Sequence, residues 1–273
     1  MVLETETVVS NNTMYVTGVG CHNDEIWKYS DTSGWELLNY FVDDRCGHSV
    51  AFVDGILYIC GGYVKSNARF IVTDSVEAYN TVTNRCTVVG KLVHGIGISG
   101  NCVPFRSSLY IFGGKDKDDD CISPMPLHMT DENCVSHVQM YDTKQNICTV
   151  LSTQMPSPQW LMRAALWETS VILLGLDTCL IFNLETETWQ ERKQFKTDVI
   201  QFALVQDNER VFIIGGLIKK SSKPGNVEWK GTVDVRFVPI RNILEDKPIE
   251  WKIHGKLPVP SLLYIYAKMR FPI

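Results

Sequence analysis

The sequence predicts an all-β chain of repeated four-stranded antiparallel sheets. Three observations carry that prediction. The first is an apolar run of strand length closed by two glycines, as in Ile56-Leu57-Tyr58-Ile59-Cys60-Gly61-Gly62, Ser108-Leu109-Tyr110-Ile111-Phe112-Gly113-Gly114 and Arg210-Val211-Phe212-Ile213-Ile214-Gly215-Gly216. Weaker copies stand at Thr13-Met14-Tyr15-Val16-Thr17-Gly18-Val19-Gly20 and Ser170-Val171-Ile172-Leu173-Leu174-Gly175. The second is an alternating segment after each copy, such as Ser75-Val76-Glu77-Ala78-Tyr79-Asn80 or His137-Val138-Gln139-Met140-Tyr141-Asp142, with the period of a half-buried strand. The third is what flanks them: an apolar stretch before the glycine-ending strand, and a polar turn and short strand after the alternating one.

Each unit therefore reads as four short strands joined by hairpins, the pattern of a β-propeller blade. Strand length holds from copy to copy while spacing drifts, so insertions belong to loops, mostly between the second and third strands. The glycines suit a strand end that turns sharply beside a neighbouring backbone. Tyr and Trp suit broad packing between blades. The fourth strands begin near Trp35, Cys86, Cys148, Trp189 and Trp251, so Cys86 and Cys148 are expected to fill the tryptophan position with less volume.

Five blades are expected, at 12–40 with 261–271, 47–92, 95–155, 162–193 and 200–257, in one domain covering 1–273. The segment Leu262-Leu263-Tyr264-Ile265-Tyr266-Ala267-Lys268-Met269 resembles a first strand without partners, so it is expected to close the ring on blade one and remove a sheet edge. Six blades are the alternative, if Val8-Val9 form a strand of their own.

Bulk composition narrows the function classes. Hydrophobic residues make up 45 % of the 273 positions, ample for a core, and the net charge is −5. That balance argues against a nucleic-acid or membrane-surface binder. No apolar run has the length of a membrane span, and the N-terminus lacks signal-peptide blocks. The nine cysteines contain no Cys-x-x-Cys pair and read as reduced thiols of a cytoplasmic protein. The segment Ser30-Asp31-Thr32-Ser33-Gly34-Trp35 is close in composition to a sialidase box but misspelled and single, and no phosphate loop, nucleophile elbow or zinc-protease helix is present. No catalysis and no cofactor are expected.

The double glycine, the Tyr141-Asp142 pair (Tyr79-Asn80 in the preceding unit) and the later Trp resemble the kelch repeat, over nearly the whole chain. The fourth copy departs with its single Gly175, and the fifth lacks the Tyr-Asp. The spelling is similar to the C-terminal domain of BTB–BACK–kelch proteins, nearest the kelch-repeat-and-BTB-domain subfamily. That resemblance implies a kelch β-propeller that holds a protein substrate for a cullin-3 ubiquitin ligase. Cullin binding and dimerisation would lie in BTB and BACK domains outside this chain, leaving an isolated monomer. A cytoskeletal or scaffolding role, such as actin binding, is the alternative.

The resemblance places partner binding on the face carrying the loops after strand two (63–74, 115–136, 217–231) and the inter-blade linkers (39–47, 91–98, 153–162, 193–200). Interface anchors are enriched in aromatic and cationic residues, which selects Arg45, Tyr63, Lys65, Arg69, His94, Trp160, Arg163, Lys219, Lys220, Trp229 and Tyr264. The loop from Lys115 to His137 carries Cys121, His128, Cys134 and His137, but their spacing matches no usual zinc pattern. Asp116, Asp118 and Asp120 imitate a calcium loop, yet Cys121 stands at the glycine position and Leu127 at that of the bidentate glutamate. No metal is expected there; the stretch reads as an acidic insertion that a basic partner could contact.

Overall fold

The computed structural model describes residues 6–19, 24–66, 69–97, 101–116, 133–192, 195–220 and 228–258. They fall into two compact units, one ending at Trp160 and the other beginning at Leu161. Among the described residues no helix is long and apolar enough to cross a membrane.

In the first unit, β1 (Glu6–Ser10), β2 (Thr13–Val19), β3 (Glu25–Ser30) and β4 (Gly34–Tyr40) form one sheet in sequence order. Next come β5 (Arg45–Cys46), β6 (Ser49–Val53), β7 (Ile56–Cys60), β8 (Tyr63–Ser66), β9 (Arg69–Val72), β10 (Ser75–Asn80) and β11 (Arg85–Lys91). Of these, β6, β7, β10 and β11 make the second sheet, while β5, β8 and β9 make a smaller three-stranded one. The third sheet holds β12 (Cys102–Phe105), β13 (Ser108–Phe112), β14 (Val138–Asp142) and β15 (Ile147–Val150).

The second unit starts with the sheet β16 (Arg163–Trp167), β17 (Ser170–Leu174), β18 (Cys179–Asn183) and β19 (Thr188–Glu191). It continues with β20 (Val199–Ile200), β21 (Ala203–Gln206), β22 (Arg210–Ile214), β23 (Leu217–Lys220), β24 (Glu228–Gly231), β25 (Asp234–Pro239), α1 (Ile240–Leu244) and β26 (Lys252–Lys256). Here β21, β22, β25 and β26 form the four-stranded sheet and β20, β23 and β24 the smaller one.

Among the described residues all strand pairings are antiparallel, and the chain is an all-β protein made of four-stranded sheets with two smaller three-stranded ones. Three expectations need correction. The place beside β2 expected for 261–271 is held by β1, whose Val8 pairs with Tyr15; 261–271 itself lies outside the described residues. The stretches 63–74 and 217–231 carry the paired strands β8–β9 and β23–β24 rather than irregular loops. A short helix, α1, occupies the turn between the third and fourth strands of the last sheet; sequence reading missed it.

Local chemistry explains the recurring sequence. The residue after each motif aromatic caps the following turn: Asn80 Oδ1 accepts from the N–H groups of Val82 and Thr83, Asp142 Oδ1 from those of Lys144 and Gln145, and Asn183 Oδ1 from those of Glu185 and Thr186. The tyrosine hydroxyls close the same turns, Tyr79 on Asn84 Oδ1 at 2.9 Å and Tyr141 on Asn146 Oδ1 at 3.1 Å. Across each hairpin the register sets Tyr29 opposite Trp35, Tyr79 opposite Cys86, Tyr141 opposite Cys148 and Phe182 opposite Trp189. The cysteines thus take the tryptophan position.

Sheets of the first unit pack through Tyr15 against Phe52 (ring centroids 5.0 Å apart) and Tyr58 against Tyr141 (6.3 Å), over a core that includes Ile26, Leu57, Ile59, Ile96 and Leu109. The core of the second unit gathers Ile172, Leu174, Phe195, Phe202, Val211, Ile213, Val238 and Ile243. Arg192, almost fully buried there, donates from Nε to the carbonyl of Ile243 and pairs with Asp246 at 2.7 Å, tying the end of α1 to the preceding sheet.

The glycine pairs answer to space and conformation. Gly61 has φ +63° and Gly62 +100°; Gly113 and Gly114 repeat this at +60° and +101°. A Cβ on Gly61 would lie 2.4 Å from the Ile96 carbonyl oxygen, and one on Gly113 2.5 Å from that of Gln159. Gly175 instead has room, with its nearest neighbour at 3.6 Å, and its N–H closes its own short turn onto Thr178 O at 2.8 Å. The left-handed penalty and overpacking together cost roughly 2–4 kcal/mol. Gly61→Ala and Gly113→Ala are each expected to lose stability of that order in urea titrations, and Gly175→Ala less than about 1 kcal/mol.

Candidate functional site

The loop face of the first unit is built in series from those glycine pairs. Gly62 N–H donates to Ile96 O at 2.7 Å and Gly114 N–H to Gln159 O at 2.9 Å, so each strand end grips the linker that follows its sheet. Beyond Gly62 the chain enters the hairpin β8–β9, onto which β5 adds. The Tyr63 ring lies where a Cβ of Gly97 would be, 2.2 Å from the nearest ring atom. Gly97 exchanges two backbone hydrogen bonds with Lys115 (2.8 and 3.0 Å), and Lys115 bridges on to Cys134. The Lys115 ammonium sits 3.9 Å from the centre of the Trp160 ring, a cation–π contact. His94 and His137 stack 4.5 Å apart and nearly parallel. Burial, and then the neighbouring His94, push the His137 pKa down, so this imidazole is neutral at pH 7.

A buried polar layer supports this face. Glu77, fully buried on β10, accepts from Arg45 Nη2, from Val42 N–H at 2.7 Å, from Asp43 N–H at 3.3 Å and from the Cys86 thiol at 3.4 Å. Burial and then the Glu77 charge push the Cys86 thiol up to about 12. Arg45 also donates to Gly61 O at 3.0 Å and to Ser75 Oγ at 2.8 Å. At the matching place on β14, Gln139 accepts from His94 N–H at 2.9 Å and donates to His94 O at 3.1 Å. Each of these side chains thus holds the linker that precedes its sheet.

His48 is buried beside this layer. Thr17 Oγ1 donates to Glu6 O at 3.2 Å and therefore accepts from His48 Nε2 at 2.9 Å, which leaves Nδ1 bare, buried and without a hydrogen-bond partner. Burial, then the Arg45 charge, lower its pKa to about 3.

Above the layer a cleft of about 450 Å³ opens between the hairpin and the next linker, lined by Val64, Ile71, Val72, Thr73, Asp74, Gly95 and Asp116. Sequence reasoning did not select Val64, Ile71 or Asp74, because it chose residue types rich in interface anchors; it placed Asp116 only within an acidic insertion that a basic partner could contact. Three of its selections are buried in the structure. Arg45 is 1 % exposed and spent on Glu77; Tyr63 (4 %) is packed on Gly97; Trp160 (6 %) lies under Lys115.

His94 is half-buried in its stack, one residue from the cleft. Lys65 and Arg69 are fixed in register on the hairpin, opposite Phe70 and Ser66. Arg163 opens β16 in the second unit, where the backbone register sets Lys219 on β23 opposite Trp229 on β24 and Lys220 opposite Glu228. Tyr264, Cys121 and His128 lie outside the described residues, among which no three His, Cys, Asp or Glu side chains gather as a metal site.

Two outcomes follow. Arg45→Leu alone strands a buried carboxylate and is expected to cost about 3–5 kcal/mol; adding Glu77→Gln, the residue type used at 139, recovers most of that loss in chemical denaturation. His48 is neutral in the fold but protonates when unfolded below about 6.5, so the unfolded chain binds the extra proton and stability falls with falling pH. Urea midpoints are expected to drop by the equivalent of about 1.4 kcal/mol per pH unit between pH 6 and 4, with a shallower fall in His48→Gln.

Comparison with known proteins agrees with this architecture. The Kelch motif matches residues 44–92. Kelch-like protein 25 of Xenopus tropicalis is 25 % identical over 74 % of this chain and 35 % of its own length. Kelch repeat and BTB domain-containing protein 1 of Cowpox virus (strain Brighton Red) is 24 % identical over 82 % of this chain and 39 % of its own. The chain therefore spans between about a third and two-fifths of these curated relatives. Among solved structures, "Structure of YjhT" superposes with a TM-score of 0.75 at 16 % identity, covering 94 % of this chain and 84 % of that one, which shows a shared fold. Repeat spelling, sheet topology and these matches together make the chain similar to the kelch-repeat domains of BTB–kelch proteins.

Proposed function

We propose that this domain docks a protein partner through the loop face of its first unit, as the non-catalytic substrate receptor of a cullin-3 ubiquitin ligase in the cytoplasm. The observation that carries the docking reading is the cleft between the β8–β9 hairpin and the linker at Gly95, resting on a rigid polar layer. A preset surface of this kind limits the ordering cost of binding. The ligase part rests on the BTB–kelch relatives. The domain would hold the substrate, and BTB and BACK regions would recruit cullin-3.

The test places a photo-crosslinking amino acid at Ile71 or Val93 on the loop face, and at Val88 or Ile147, exposed on fourth strands. The domain is joined to a BTB–BACK region and supplied with cullin-3 and the ubiquitin enzymes. One protein is expected to crosslink from the first two positions only, and to become ubiquitylated. Equal crosslinking from all four would overturn the face. A crosslinked partner left unmodified by a working cullin-3 complex would overturn the ligase role.

A further inference from the structure

The cleft of the first unit has a chemistry of its own. Its described lining sets the aliphatic residues Val64, Ile71 and Val72 beside Thr73 and Gly95, and the ionisable groups in it are both carboxylates, Asp74 and Asp116. Among the described residues the Asp74 carboxylate meets only Lys91, at 3.1 and 3.2 Å, with 71 % of the lysine side chain exposed. Exposed pairs of this kind contribute little, so an incoming cation can replace Lys91 at small cost. Asp116 is exposed and makes no ion pair among the described residues; His137, the imidazole that feels its charge, is held neutral by burial and by His94. Aliphatic residues thus lie between two carboxylates that no fixed cation among the described residues neutralises, in a chain of net charge −5.

We propose that this cleft receives an extended protein segment in which an apolar side chain is flanked by lysine or arginine. The apolar side chain seats on Val64, Ile71 and Val72, and the flanking cations meet Asp74 and Asp116. The proposal deepens the docking reading and rests on it. Attraction between exposed charges also makes binding salt-dependent.

Fluorescence anisotropy with three labelled peptides of equal length tests it, their centres being Lys-Leu-Lys, Lys-Ser-Lys and Glu-Leu-Glu in a Gly-Ser background. The Lys-Leu-Lys peptide is expected to bind at least about tenfold more tightly than the other two, a difference near 1.4 kcal/mol, and to weaken at high salt. The double variant Asp74→Asn with Asp116→Asn and the single variant Ile71→Ser, each checked for an unchanged urea midpoint, are expected to lose about tenfold. Preference for Glu-Leu-Glu would assign the site to the hairpin cations Lys65 and Arg69 and overturn the proposal. So would binding that the double variant leaves intact, or no binding by any peptide. Crosslinking from Ile71 and Val93 judges the docking face separately, so a failure of the charge chemistry is distinguishable from a failure of the face.

Discussion

The close approach of a strand-ending glycine to a linker carbonyl is the contact on which the loop face depends. At Gly61 and Gly113 a side chain would strike the carbonyl oxygen of Ile96 or Gln159, and the next residue's N–H bonds that same oxygen. One carbonyl therefore fixes both how near the strand comes and where the following segment departs. The pair occurs where the chain must leave the sheet for an insertion: before the β8–β9 hairpin, before Lys115, and before β23–β24, where Gly216 has φ +96° and faces Ile200 O. Beyond Gly175 the chain makes only a short turn, nothing has to be positioned, and one glycine bonded to Thr178 suffices. The departure of that repeat from the pattern is a consequence of its missing insertion.

What was legible in the sequence was the part governed by neighbours along the chain. Tyr79-Asn80 and Tyr141-Asp142 announce a capped turn within a few residues, and the strand opposite is then set by hairpin geometry, so Cys86 and Cys148 could be placed in the tryptophan position. Less legible was the hairpin over 63–72. Its alternation is visible, but Asn67-Ala68 lacks the glycine that marks a two-residue hairpin turn. The Arg45–Glu77 pair was illegible, since its partners are 32 positions apart and each taken alone resembles a surface charge. The short first strand was legible only as an alternative: Val8-Val9 could be read as a strand, but Glu6–Ser10 offers too few residues to show that it pairs with β2.

The burial of the three selected residues Arg45, Tyr63 and Trp160 has one physical cause. Arginine, tyrosine and tryptophan dominate interfaces because they combine broad apolar surface with directed polar atoms. The same properties suit them to holding loops together inside a protein. Tyr63 spreads over Gly97, where its linker carries no side chain, and Trp160 offers its face to the Lys115 ammonium. Composition cannot separate the two uses; burial does. Once these residues are assigned to the frame, the accessible groups on the cleft are small aliphatics and carboxylates, a different surface from the aromatic and cationic one expected.

Glu77 and Gln139 show which feature of the supporting layer is general and which is local. Both stand two residues before the motif tyrosine, and both accept backbone N–H groups of the preceding linker, at Val42 and Asp43 or at His94. The common requirement is an acceptor aimed at a linker; a negative charge is not part of it, since the amide of Gln139 does the same work. The carboxylate of Glu77 is explained by Arg45, which also bonds the Gly61 carbonyl and belongs to β5, the short strand that pairs with β8. The ion pair therefore does more than offset its own desolvation: it joins linker, glycine pair and hairpin into one rigid support. The hairpin wall of the cleft stands on that support, which places a buried charge pair directly beneath the surface proposed to receive a partner.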